Sequence, residues 1–267
     1  MVDIDRRAAL TALGAMALAG AATTSASQEV GALATPRNYL RRDATKLRRF
    51  YAELADIPRR RSFRRLPMIL TRPGQWDSQA LDALLAYDGA PKHVFDTTDI
   101  ASTWLTQMRN TLNAEVWAFG RPNFLIAAAP HGPAGFLLLT NVAWKKYDIA
   151  ALTNGAFARN TVLKDPRYTR ADVEDPENTT GLYSAAGGDF IPVLQKRGAV
   201  FLACHNALWE LAETLIAKGV NPDGASTEQL VADLTASLIP GVVTTPGNEA
   251  AIGMLQRAGF GYTFVSD

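Results

Sequence analysis

The stretch Gly198-Ala199-Val200-Phe201-Leu202-Ala203-Cys204-His205-Asn206 constrains this chain more than any other. Val200 to Ala203 is a short, nearly continuous apolar run, which is how a strand buried on both sides of a parallel sheet reads. The polar group Cys204-His205-Asn206 interrupts it. Leu208, Leu211, Ala212 and Leu215 then fall on one face of a helix that ends at Gly219, with Asn206 predicted as its N-cap. The single cysteine of the protein is therefore predicted to sit where a strand ends and a helix begins. In open α/β sheets that edge is where ligands bind, and a thiol there feels the positive end of the helix dipole. The competing expectation is a small buried apolar residue, since free cysteine is among the most buried types.

One cysteine excludes an internal disulfide, so a chain of 267 residues, 48% of them hydrophobic, must stand on its core. The net charge of +1 gives no overall field for nucleic acid. The charge is uneven: residues 37–65 hold eleven basic residues against Asp43, Glu53 and Asp56, net +8, and everything from Leu66 onward is net −6. The basic run is predicted as a solvated helix face that answers acidic surface elsewhere, because charge runs are usually solvated. No aromatic residues interleave there in the manner that stacks bases.

Residues 1–27 carry Arg6-Arg7, an uncharged apolar run from Ala8 to Ala22, and the small-residue exit Thr24-Ser25-Ala26-Ser27. That pattern is an export signal, too short to span a bilayer, and the arginine pair matches the twin-arginine type in part. Export places the mature protein in the periplasm, with membrane contact only through the signal. Residues 28–89 read as a basic helical N-terminal arm. Leu40, Leu47 and Leu54 form one apolar stripe up to Pro58, and Trp76, Ala80, Leu81, Leu84 and Leu85 form a second helix.

From residue 90 strands alternate with helices, which predicts an α/β domain with a mostly parallel sheet over 90–267. The strands are predicted at Lys92 to Asp96, Asn123 to Ala129, Val200 to Ala203, Pro240 to Val243 and Tyr262 to Val265, with a further one beginning at Glu115 to Phe119. Ser226-Thr227-Glu228-Gln229 is a capping box. Residues 141–188 form an irregular insertion, of the kind that serves as a lid, binding loop or oligomer contact. The second clear strand ends in Pro130-His131-Gly132-Pro133, a turn that exposes a histidine.

Taken in order, Leu194-Gln195-Lys196-Arg197-Gly198, the strand to Cys204, Leu238-Ile239-Pro240-Gly241-Val242-Val243, Pro246-Gly247, Leu255-Gln256 and Gly259 to Val265 resemble the DsrE/DsrF-like (YchN-like) family. The His131-Gly132-Pro133 turn is similar to that family's His-Gly turn. The resemblance implies a three-layer α/β domain assembled as a homo-oligomer, a trimer or hexamer. It also implies a persulfide carried on the cysteine at the position of Cys204, as in intracellular sulfur relays. The export signal, basic arm and insertion set this chain apart from those members.

The predicted site thus joins Cys204, His131 and His205 as the reacting group, with Asn206, Gly132 and Pro133 as its binding loops. A thiolate needs a cation or helix N-terminus to form, and either histidine supplies the first. The expected thiol has a pKa below its ordinary value. Three functions fit: a sulfur carrier or sulfur transferase, a small-molecule or soft-metal module using thiolate and imidazole, and an oligomeric assembly protein with an incidental cysteine. One cysteine and three scattered histidines make a four-ligand zinc site a poor fit. No glycine loop that cradles phosphate stands between a strand and a helix, so no cofactor is expected.

Overall fold

The computed structural model describes residues 38–266, so the predicted export signal lies outside the described residues. The regular elements, in chain order, are α1 (Thr45–Asp56), α2 (Ser78–Leu85), β1 (Lys92–Thr97), α3 (Trp104–Asn113), β2 (Leu125–Pro130), α4 (Asn141–Lys146), α5 (Arg170–Glu174), α6 (Ala185–Gly188), α7 (Ile191–Lys196), β3 (Val200–Cys204), α8 (His205–Ala217), α9 (Thr227–Ala236), β4 (Val243–Thr245), α10 (Asn248–Arg257) and β5 (Phe260–Phe264). The five strands form one sheet in the order β4-β3-β2-β1-β5 with every pair parallel, which is the α/β class the alternation predicted.

Helices cover both faces, and the pleat decides which residue faces which layer. On the first face Phe95, Ile126, Ala128, Phe201 and Ala203 pack against Trp104, Met108 and Leu112 of α3, Leu208, Leu211 and Leu215 of α8, and Leu230 and Leu234 of α9. The Trp104 and Phe201 rings meet edge to face, with centroids 5.9 Å apart. On the second face the alternate residues Val94, Leu125, Ala127, Ala129, Val200, Leu202 and Val243 pack against α1, α2 and α10. The stripe Leu47, Phe50 and Leu54 of α1 and Ala80, Leu81 and Leu84 of α2 supplies part of this layer. The described residues therefore form a three-layer helix–sheet–helix sandwich.

Chain direction explains the two layers. The chain moves outward from β1 through β2 and β3 to β4, then returns to β5 beyond β1. Crossovers between parallel strands are right-handed, so the outward connections share one face and the return must use the other. Accordingly α3, α8 and α9 lie on the first face, and α10 lies on the second through Ala251, Ile252 and Leu255.

The strand predicted to begin at Glu115 is instead a π-helical turn over Ala114–Ala118 that prolongs α3. Asn113 and Ala114 keep helical backbone angles, and Trp117 packs edge to face on Tyr183, 5.6 Å between centroids. Tertiary packing overrides the β-forming residues there. The capping box at Ser226 and Gln229 is present as predicted. The arginine run is partly used within the fold: Arg61 donates from Nη1 to Oδ2 of buried Asp77 at 3.0 Å, and Asp77 also accepts from the Thr244 amide at 2.8 Å. No helix among the described residues is long and apolar enough to cross a membrane.

Candidate functional site

The connection leaving β3 goes to the first face and that leaving β4 goes to the second, so the strand order reverses between them. A crevice at the carboxyl ends of such neighbouring strands is the usual ligand position in open α/β sheets. Cys204 ends β3 at this point, paired in register with Thr245 of β4. Its residue is 4% exposed.

The sulfur lies before the first turns of two helices. Sγ accepts from the amide of Ala207 in α8 at 3.5 Å and from the amide of Asn248 in α10 at 3.5 Å. These are among the amides that a helix leaves without an internal partner, and they carry the positive end of its dipole. Cys204, not Asn206, is therefore the N-cap of α8. Asn206 lies one residue inside the helix and is exposed, so its predicted place in a binding loop is replaced by a place in the first turn. The lowered thiol pKa expected from the helix dipole is also corrected. Burial pushes the Cys204 thiol up, the amides of Asn248 and Ala207 pull it down, and Glu249 pushes it up again.

His131 follows β2 with extended backbone angles, so it continues the strand by one residue. The pairing of Ala127 with Val200 and Ala128 with Phe201, carried forward, sets His131 level with Cys204 on the neighbouring strand. Both residues keep the parity of the second-face positions, as does Asp96 of β1. Nδ1 of His131 lies 3.3 Å from Oδ1 of Asp96 and 3.3 Å from the carbonyl oxygen of Ala129. Nε2 lies 3.7 Å from Oε1 of Glu249, whose side chain is largely in solvent. The other oxygen of Asp96 accepts from the Tyr262 hydroxyl at 2.8 Å. Burial first, then the neighbouring Asp96, push Tyr262 up to about 12, so its proton stays in place to be donated.

Gly132 has φ +53, a left-handed angle, and a Cβ there meets only Thr98 Cβ at 3.9 Å. The position needs glycine for its conformation, not for space. Pro133 lies in the 3-10 turn Gly132–Leu138 that leads away from His131.

Asn248 ties the site together. It is fully buried, and its Nδ2 donates to the carbonyl oxygens of Pro130 at 2.9 Å and Leu202 at 3.2 Å. Its Oδ1 accepts from the Thr245 hydroxyl at 2.8 Å. One side chain thus holds the ends of β2, β3 and β4, while its amide meets Cys204.

His205 does not join this group. One residue beyond Cys204, it turns to the opposite side, where Nε2 donates to the carbonyl oxygen of Pro67 at 2.8 Å. Burial pushes its pKa down, partly offset by hydrogen bonds to the Pro67 and Met68 carbonyls. It fastens the segment before α2, so the role predicted for it beside the thiol is replaced by a structural one. His93 lies near the other end of the sheet, with Nε2 2.8 Å from the Thr263 hydroxyl.

The site therefore draws on all five strands: Asp96 from β1, His131 after β2, Cys204 from β3, Asn248 and Glu249 after β4, and Tyr262 from β5. Of these, the sequence analysis names His131 and Cys204, which the fold places on neighbouring strand ends, and not the other four. The signal available for Asp96 was a carboxylate closing an apolar strand. Among the described residues no group of three or more His, Cys, Asp or Glu side chains is placed to hold a metal ion. No family model, no curated protein and no solved structure matches this chain.

Proposed function

We propose that the protein is a sulfur carrier that holds one sulfane sulfur as a persulfide on Cys204. The observation that supports this most is the pair of amides, Ala207 and Asn248, that meet Sγ from two different helices. Such a cradle favours an anionic sulfur over a neutral thiol, and the terminal sulfur of a persulfide is anionic near neutral pH. The resemblance of the ordered segments to the DsrE/DsrF-like family points the same way.

The chemistry needs a polysulfide as donor. The Cys204 thiolate attacks a terminal sulfane sulfur, a new S–S bond forms, and the bond to the rest of the polysulfide breaks. The shortened polysulfide leaves with the electron pair, and the thiol proton passes to His131. With the residue 4% exposed, entry requires the turn that carries Asn248 to part from the sulfur. The closed turn then shields the persulfide from solvent thiols.

The test is intact mass of the native protein after incubation with polysulfide and removal of excess reagent. A carrier gains about 32 Da per sulfur on the wild type and nothing on Cys204→Ser. A wild-type mass that never changes, or a gain that persists in Cys204→Ser, overturns the proposal.

A further inference from the structure

The nitrogen of His131 that faces inward meets two groups that only accept hydrogen bonds. The Asp96 carboxylate and the Ala129 carbonyl each lie 3.3 Å from Nδ1. A neutral imidazole carries one N–H, and Nδ1, 3.3 Å from two buried acceptors, is better placed to carry it than Nε2, whose one charged neighbour is the largely exposed Glu249 at 3.7 Å. Nε2 is then left with its lone pair, on a residue that stands on the face and at the level of Cys204. We propose that Tyr262 and Asp96 are positioning residues that lock His131 in the Nδ1–H tautomer, so that Nε2 takes the proton from Cys204.

Asp96 is fitted for this and for little else in the fold. It is 7% exposed, in a position where the second-face pattern of β1 calls for an apolar residue. Its Oδ2 is held by the Tyr262 hydroxyl at 2.8 Å, which fixes the carboxylate plane. Its Oδ1 is buried with no hydrogen-bond partner of its own, and His131 Nδ1 is the cation-capable atom beside it. A buried carboxylate oxygen without a donor is costly, and a ring N–H rotated onto it removes that cost. The carboxylate is the stronger acceptor of the two, because hydrogen bonds to charged groups are about twice as strong as neutral ones. Tyr262 is well suited to hold Asp96, because it sits on the edge strand and packs against no further strand. The remaining charged group near the ring is Glu249, on α10, at 3.7 Å from Nε2. It lies where a transferred proton is stabilised once Nε2 has received it.

The tautomer lock rests on the sulfur-carrier reading only for the identity of the proton donor, and its spectroscopic test stands without that reading. The chain contains three histidines, so nitrogen NMR on ring-labelled protein resolves them, and His131→Gln assigns the signal. At a pH where the rings are neutral, the wild type shows His131 as Nδ1–H with Nε2 unprotonated. Asp96→Asn moves a measurable fraction of His131 to the Nε2–H form, and Tyr262→Phe moves a smaller fraction in the same direction. Asp96→Asn also slows alkylation of Cys204 by iodoacetamide by up to about a hundredfold, the low end of what a positioned base contributes. A wild-type His131 that is mainly Nε2–H overturns the inference without any variant. So does an Asp96→Asn spectrum identical to wild type. A correct tautomer with no mass gain from polysulfide would remove the carrier reading and leave the Tyr262–Asp96–His131 line standing.

Discussion

On the first face of the sheet Phe95, Ala128 and Ala203 are packed under α3 and α8, and the polar residues at the edge, Thr97 and Thr244, are buried in hydrogen bonds, whereas on the second face the edge carries Asp96, His131, Cys204 and Thr245. The same pleat produces both outcomes, because neighbouring residues of one strand point to opposite layers. Helix placement separates them. On the first face α8 starts directly from β3 and covers the strand ends with apolar side chains. On the second face α10 reaches the edge only with its first turn, so polar groups there meet free amides instead. Cys204 and His205 are the sharpest instance: adjacent in sequence, one faces two helix N-termini and the other the backbone carbonyls of the segment before α2.

If the first face is packing and the second is chemistry, disturbing each should give different signatures. The largest effect is expected for Trp104→Ala on the first face, which empties a fully buried ring site against Phe201. Urea unfolding should show a loss of about 3–5 kcal/mol. Per folded molecule, the rate at which Cys204 is alkylated should stay within twofold of wild type. A large change in that rate would mean the two faces are not separable.

Asn248→Ala should reverse the pattern. It removes donors to Pro130 and Leu202 in a fully buried position, so unfolding should show a loss of about 1–3 kcal/mol. Because the same residue pins the turn over the sulfur, alkylation of Cys204 should accelerate. A variant that loses stability while Cys204 reacts as slowly as before would show that the turn is not the gate.

The smallest of these effects concerns pH. Burial holds the folded pKa of His205, and that of His93, below the ordinary 6.5. For a histidine with a depressed folded value, the unfolded chain binds the proton first as pH falls. The stability is therefore full above about pH 6.5 and is lost as pH drops below it, at no more than about 1.4 kcal/mol per pH unit for each group. Replacing His205 with Gln, which keeps a donor for Pro67, should reduce the slope of stability against pH between 6.5 and 5. An unchanged slope would mean that His205 already takes up its proton in the folded state.

Much of this arrangement is legible in the sequence alone, and the reason is locality. Val200 to Ala203 followed by Leu208, Leu211 and Leu215 announces strand then helix within a single window, and the parallel α/β class follows from repeating that alternation. The partners of the site are not legible for the opposite reason. His131 is marked by its turn, but Asp96, Asn248 and Tyr262 come from three further separate stretches, and only strand order and register bring them to its edge. Nothing local marks Asp96 as more than the last residue of a strand, or Asn248 as more than a helix start. The misplacement of His205 has a different source: proximity in sequence to Cys204 suggests a pair, and a one-residue step across the sheet edge separates them. The helical turn at 114–118 is hidden by Val116, Trp117 and Phe119, residues that favour strands until packing on Tyr183 decides otherwise.

The most direct test of Cys204 as a carrier is delivery rather than uptake. Protein loaded with polysulfide and freed of excess reagent is treated with cyanide, which takes sulfane sulfur and leaves as thiocyanate. A persulfide on the only cysteine predicts one thiocyanate per chain from the wild type and none from Cys204→Ser. Wild-type protein that yields no thiocyanate, or Cys204→Ser that yields as much as wild type, would contradict it.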